Sequence, residues 1–305
     1  MPESPIRSID DVCEVLDLGD RRRAPSLLLE VPHGATRAAH FDEVRARLVG
    51  EFPADLQAFF FVNTDVGAPE VARRVAEIVA GTSCRRVLVV RSLVPRTFVD
   101  CNRVIDVDAA PRASAAGEVT PGVHVYVRAA ADRALLLSRY AAYRNVASAA
   151  YAAVCGAGGQ ALMVHSYAPR SIDVPVDERI VERLRAEYQP ERIGQWPLRS
   201  EVDLIAKAPD GRVMAAPALV EACQRELRTA GLSVDVCGTY TLHPQTLAHE
   251  FAAAYPERTL CLEIRRDLLV PEFTPFAEMI PDAAKVERVA VGLARACGVG
   301  VGRGV

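Results

Sequence analysis

Four stretches of the chain place a histidine or a carboxylate in or directly after an apolar run. Open α/β proteins present ligand groups in this way, at the carboxyl ends of their strands. Val31-Pro32-His33-Gly34 follows the run Ser26 to Val31, and Val62-Asn63-Thr64-Asp65-Val66-Gly67 sets an acid just before a helix. Leu162-Met163-Val164-His165-Ser166 ends a second run on a histidine, and Leu260-Cys261-Leu262-Glu263-Ile264-Arg265-Arg266 embeds a carboxylate in a third. Two histidines and one carboxylate leave a position open on zinc, as catalytic rather than structural sites do. A second carboxylate beside such a metal can take a proton from water. Thr36 and Arg37 stand where a helical partner for His33 would need to be acidic, so such a site draws on residues far apart in sequence.

Each stretch also has a plainer use. A histidine at a strand end can be a hydrogen-bonded structural residue, and Asp65 could cap the helix opening near Pro69. Burying an ionised carboxylate costs several kcal/mol unless it is paired. Arg265, on the face of Glu263 by strand alternation, could be that partner. A fifth segment, Val94 to Arg103, carries Arg96 and Arg103 with Asp100 and Asn102 between them. Paired guanidiniums of this kind suit bidentate recognition of a carboxylate, and equally a surface salt bridge.

The elements that must position these groups alternate along the chain. Strands are expected at Ser26–Val31, Arg86–Val90, Gln160–His165, Thr259–Ile264 and, more weakly, Glu201–Ala206. Helices are expected from Arg37 to about Val49, from Pro69, from Asp132 as a cap to about Val154, from about Ala216 to Ala230, and from about Asp282 to Cys297. The third of these carries Leu136, Tyr140, Tyr143, Ala147, Ala150, Tyr151 and Val154 along one face. Strands separated by helices imply right-handed crossovers and a largely parallel three-layer α/β sandwich. Ala109 to Gly122, rich in Ala, Pro and Gly, is the expected surface excursion. No internal repeat or linker divides the chain, so one domain over 1–305 is expected.

Composition narrows the function classes. Half of the 305 residues are hydrophobic and a quarter charged, which supports a large core and excludes a disordered or fibrous chain. The 36 basic and 39 acidic residues leave a net charge of −3, with no Lys/Arg stripe, so nucleic acid is not an expected partner. No run reaches the length of a membrane span, and the N-terminus is acidic where an export signal is basic. The eight cysteines form no C-x-x-C pair, which fits free thiols in the cytoplasm.

Taken in order, VPHG at 31–34, TDVGAPEVA at 64–72, PRTFVDCNR at 95–103, VHS at 164–166 and LEIRRDLL at 262–269 resemble the N-formylglutamate amidohydrolase family. That family is related to zinc carboxypeptidases and aspartoacylase-type deacylases. The resemblance runs from about Ser26 to Cys297. It implies a mostly parallel, mixed central sheet in a zinc-carboxypeptidase-like (phosphorylase/hydrolase-like) sandwich. It also implies one Zn2+ per chain on His33, Asp65 and His165, with Glu263 as general base and then acid. By the same resemblance Arg96, Asn102 and Arg103 grip the substrate carboxylate and polarise its carbonyl, so Arg96 counts with Glu263 as catalytic. The GTYTLH stretch at 238–243 resembles the family's glycine-rich segment, which puts His243 at the pocket. Arg265 joins the substrate-binding set.

The implied reaction is hydrolysis of a small N-acyl amino acid, N-formyl-L-glutamate to L-glutamate and formate, as a step in histidine breakdown. A hydrolase of another N-acyl amino acid or short peptide, and a non-catalytic α/β binding module, are the alternatives. The sequence departs from the family pattern at Gly34-Ala35, where serine-glycine is common, at Met163, where aspartate is usual, and at Leu268-Leu269, where leucine-tyrosine is frequent. These changes bear on substrate identity rather than on ligands or base. A small-molecule substrate, no membrane, and a monomer or homodimer complete the expectation.

Overall fold

The computed structural model describes residues 5–298. Met1 to Ser4, part of the acidic N-terminal stretch, and residues 299–305 of the expected domain lie outside them.

Seven strands form one sheet: β1 (Cys13–Leu18), β2 (Pro25–Val31), β3 (Arg86–Ser92), β4 (Gln160–Tyr167), β5 (Val202–Ile205), β6 (Val234–Val236) and β7 (Thr259–Arg265). Their order is β1-β3-β2-β4-β7-β5-β6. The central four, β3, β2, β4 and β7, are parallel. β1 pairs antiparallel with β3, β5 antiparallel with β7, and β6 parallel with β5. The sheet is therefore mixed, and helices cover both faces.

The helices are α1 (Ala38–Arg45), α2 (Leu56–Asn63), α3 (Ala68–Ser83), α4 (Ala130–Val154), α5 (Ile180–Glu187), α6 (Pro190–Ile193), α7 (Pro217–Thr229), α8 (Leu247–Ala254) and α9 (Ala283–Ala296). Strand periodicity divides the core in two. Leu27, Leu29 and Val31 of β2, with Leu162 and Val164 of β4, pack against α3, α7 and α9. The alternate residues Leu28, Leu88, Val90 and Met163 face the layer built by α1, α2, α4, α5 and α8. Strands buried on both faces need apolar residues at nearly every position, which is why these runs are continuous rather than alternating. Glu30 of β2 is the exception. It is fully buried, and the hydroxyls of Tyr143 and Tyr151 donate to its two oxygens at 2.7 and 2.8 Å.

Several boundaries differ from expectation. α1 ends at Arg45 rather than near Val49, and β5 is shorter than Glu201–Ala206. Asp132 lies in the first turn of α4, whose cap is Ala129. Its carboxylate instead accepts hydrogen bonds from the backbone of Val49 and Gly50, both at 2.9 Å, donors that the loop after α1 leaves free. Among the described residues no helix is long and apolar enough to cross a membrane.

Candidate active site

The chain passes from β2 to β3 through α3 on one face, and from β3 to β4 through α4 on the other. The parallel strands therefore change winding direction at β2, and ligand crevices open outside the carboxyl ends of strands at such points. His33 stands just beyond β2, His165 lies near the end of β4, and Glu263 of β7 is in register with His165. Strand adjacency alone brings these three together.

Asp65 arrives by another route. It follows a helix, α2, and not a strand as the sequence pattern suggested. It does not cap α3 with its side chain, because Gly67 occupies the cap position with φ of 86°. A Cβ at Gly67 would also lie 2.7 Å from the Leu269 side chain, so the tight turn after Asp65 requires glycine. Two further side chains hold this turn against β4. Ser166 Oγ donates to the Val66 carbonyl at 2.8 Å, and the buried Arg266 guanidinium donates to the carbonyls of Ser166 and Val62.

The result is a compact donor cluster. Asp65 Oδ2 lies 2.8 Å from His165 Nδ1 and 3.3 Å from His33 Nδ1. One ligand atom from each residue can be chosen so that all three lie within 4.8 Å of one another, and all three residues are buried. Burial works to raise the pKa of Asp65, but the adjacent histidines outweigh it and hold the carboxyl below its ordinary range. The far nitrogen of His33, Nε2, lies 2.7 Å from Asp100 Oδ1. Burial opposes ionisation of Asp100 as well, and Arg103, His33 and Arg96 overcome it. A carboxylate on the outer nitrogen of a ligating imidazole fixes its tautomer and orientation. Two imidazole nitrogens and a carboxylate oxygen so arranged fit a zinc ion.

A cavity of about 550 Å³ opens over this cluster. Glu263 reaches it from β7, and its Oε2 is buried without a hydrogen-bond partner. Burial is the main cause that pushes the Glu263 carboxyl up to about 7; His165 favours its anion and Asp65 opposes it. An unpartnered carboxylate oxygen beside a metal-type donor set is placed to handle a proton. Arg96 and Arg103 enter from the loop after β3 and converge on Asp100 Oδ2 at 3.0 and 3.6 Å.

The model of the N-formylglutamate amidohydrolase family matches residues 26–270. The chain belongs to that family. No curated protein matches it. Among solved structures, the N-formylglutamate amidohydrolase of Ralstonia eutropha JMP134 is similar at 19% identity and a TM-score of 0.58, covering 93% of this chain and 97% of that one. A gene product of Agrobacterium tumefaciens is similar at 16% identity and a TM-score of 0.52, covering 96% of each chain. These likenesses bear on the fold, and they agree with the mixed α/β sheet.

Within this N-formylglutamate amidohydrolase fold, most of the residues singled out from the sequence lie around one cavity. His33, His165, Glu263, Arg96, Asn102, Arg103 and His243 all line it, and Asp65 lies directly behind the two histidines. Asn102 is buried; its Oδ1 accepts from the Ala248 backbone at 3.0 Å, and its Nδ2 lies 3.4 Å from His165 Nε2. His243 sits at the turn into α8, whose cap is Thr246, and its Nδ1 accepts from the Gln245 backbone.

Arg265 is the correction. It lies outside the cavity lining and does not pair with Glu263. Its guanidinium is taken by Asp267 at 2.8 Å and the Arg199 carbonyl at 3.2 Å, because β7 ends there and the chain turns into a short 3-10 helix. Its neighbour Arg266 faces the cavity instead. Sequence reasoning also missed Asp100 as the partner of His33, together with Arg199 and Tyr240 in the cavity wall. Asp100 had a signal, since it stands between the two arginines. Arg199 had none, because it lies in a segment without apolar periodicity.

Proposed function

We propose that this amidohydrolase is zinc-dependent and cleaves the amide bond of small N-acyl amino acids, with N-formyl-L-glutamate as the first substrate to expect. The convergence of His33, Asp65 and His165 beside the unpartnered Glu263 oxygen carries this reading. His33, Asp65 and His165 would hold the ion. Zinc bound there supplies a Lewis acid that polarises a carbonyl and brings the pKa of a water toward about 7. Glu263 takes the proton from the attacking water and returns it to the leaving nitrogen, a task suited to a carboxyl poised near neutrality. Arg96 and Arg103 present guanidinium donors to the substrate carboxylate and to the charge developing on the carbonyl oxygen.

Formate release from N-formyl-L-glutamate, measured after metal depletion and again after zinc is restored, tests the proposal. Activity that disappears on depletion and returns with zinc is the expected result. Turnover that is indifferent to metal removal would contradict zinc dependence. A zinc-loaded protein inert toward a panel of N-formyl, N-acetyl and larger N-acyl amino acids would contradict the reaction class.

A further inference from the structure

The cavity is rich in charged side chains, with Glu118, Asp173 and Glu263 among its acids. Five arginines line it: Arg96, Arg103, Arg170, Arg199 and Arg266. Three of them answer to buried acids, since Arg96 and Arg103 converge on Asp100 and Arg266 lies 3.8 Å from Asp65. Arg170 is taken up by the carbonyl of Trp196 at 2.8 Å. Arg199 shares with Arg170 the lack of a salt bridge among the described residues, but it alone of the five lies against two tyrosine rings in the ring contacts of those residues.

Among the described residues Arg199 has no carboxylate partner. Its Nη1 donates to the Ala168 carbonyl at 3.2 Å and its Nη2 to the Tyr240 hydroxyl at 2.7 Å. Its Nε is buried with nothing to donate to. The rings of Tyr167 and Tyr240 lie 5.0 and 5.5 Å from the guanidinium carbon, which keeps the planar group in a fixed orientation. Tyr240 is itself held by the fold. Asp203, fully buried on β5, accepts the backbone N–H groups of Gly238, Thr239 and Tyr240 and so fixes the loop that carries the ring. Arg199 and Arg96 both favour the anionic form of Glu263.

A half-buried, pre-oriented guanidinium that lines the cavity and makes no salt bridge among the described residues is placed to receive an anion through its remaining Nη hydrogens. Resting on the amidohydrolase reading above, we infer that Arg199 is the specificity-determining anchor for a carboxylate on the substrate's own side chain. Arg199 then discriminates an acidic side chain from its neutral amide counterpart, which offers the guanidinium no charged partner.

The test compares N-formyl-L-glutamate with N-formyl-L-glutamine in zinc-loaded wild type and Arg199→Gln. The variant should lose about tenfold or more in kcat/KM for the acidic substrate, as expected for a lost charge-assisted pair, and change by less than about threefold for the neutral one. Equal effects on both substrates, or no effect on either, would overturn the inference. Should the glutamine variant fold poorly, Arg199→Lys keeps the charge and must retain part of the acidic preference; a lysine variant with no preference would also overturn it. Calorimetry with glutarate and butyrate, a dicarboxylate and a monocarboxylate of similar length, reads the anchor without turnover. Wild type should prefer glutarate by about tenfold and Arg199→Gln should not. A protein that hydrolyses no N-acyl amino acid yet shows this difference would fail the proposed function and keep the anchor. Equal binding of the two acids by wild type would sink the anchor alone.

Discussion

Glu263 lines the cavity and Asp65 lies behind its two histidines, and their surroundings give the two acids opposite characters. Asp65 has an imidazole nitrogen from each of two histidines within 3.3 Å, and it is held in the ionised form. Glu263 has a bare buried oxygen and a pKa pushed up to about 7 by burial. One environment suits a permanent metal ligand and the other suits a group that gains and loses a proton. Glu263→Gln keeps the shape and removes the base, so kcat should fall by roughly 10²–10⁴-fold while about one zinc per chain remains bound. Asp65→Asn replaces a charged ligand with a neutral one and should weaken zinc binding. Elemental analysis beside steady-state kinetics reads both effects. Loss of zinc in the glutamine variant with full occupancy in the asparagine variant would exchange the two roles.

At the scale of elements, α1 shows how a histidine can serve structure instead of chemistry. His40 stands at the third position of α1, and its Nδ1 accepts the backbone N–H groups of Thr36 and Arg37 at 3.1 and 3.2 Å. Burial, helped by Arg91 and Arg37, lowers its pKa from 6.5 to about 4. An unfolded chain therefore takes up this proton before the folded one does. Stability from this group is complete above about pH 6.5 and is lost as pH falls toward about 4. Glutamine at the same position supplies an acceptor that does not titrate. His40→Gln should leave Tm near neutrality almost unchanged and make the acid-side decline shallower. A melting profile from pH 7 to pH 4 with the same slope in both proteins would assign the decline to other groups, the buried His124 among them.

Legibility from sequence also divides by element. β2, β3, β4 and β7 were readable because burial on both faces makes them unbroken apolar runs. The same rule hid α2, whose Ala58-Phe59-Phe60-Phe61 core reads as a strand when length and period give no contrary signal. β1 and β6 are edge strands with polar residues among the apolar ones, and β6 has only three residues. α5 and α8 span eight residues each, too short for a decisive helical stripe.

The whole molecule explains what the elements alone do not. Residues 33, 65, 165 and 263 meet because β2, β4 and β7 are neighbours in the sheet and a glycine turn lays the α2–α3 link across their ends. Strand order is a property of crossovers and is not written in local periodicity, so the cluster was foreseen through the family resemblance rather than through spacing. The same long-range geometry placed Asp100 on His33 and left Arg265 outside the cavity.

The central claim is that His33, Asp65 and His165 form one metal centre. Elemental analysis of the purified protein tests it most directly, with wild type set against His33→Ala, His165→Ala and the control His40→Ala. About one zinc per chain in wild type and control, and little in the two ligand variants, is the result expected of one site. Full zinc occupancy in both ligand variants would contradict it.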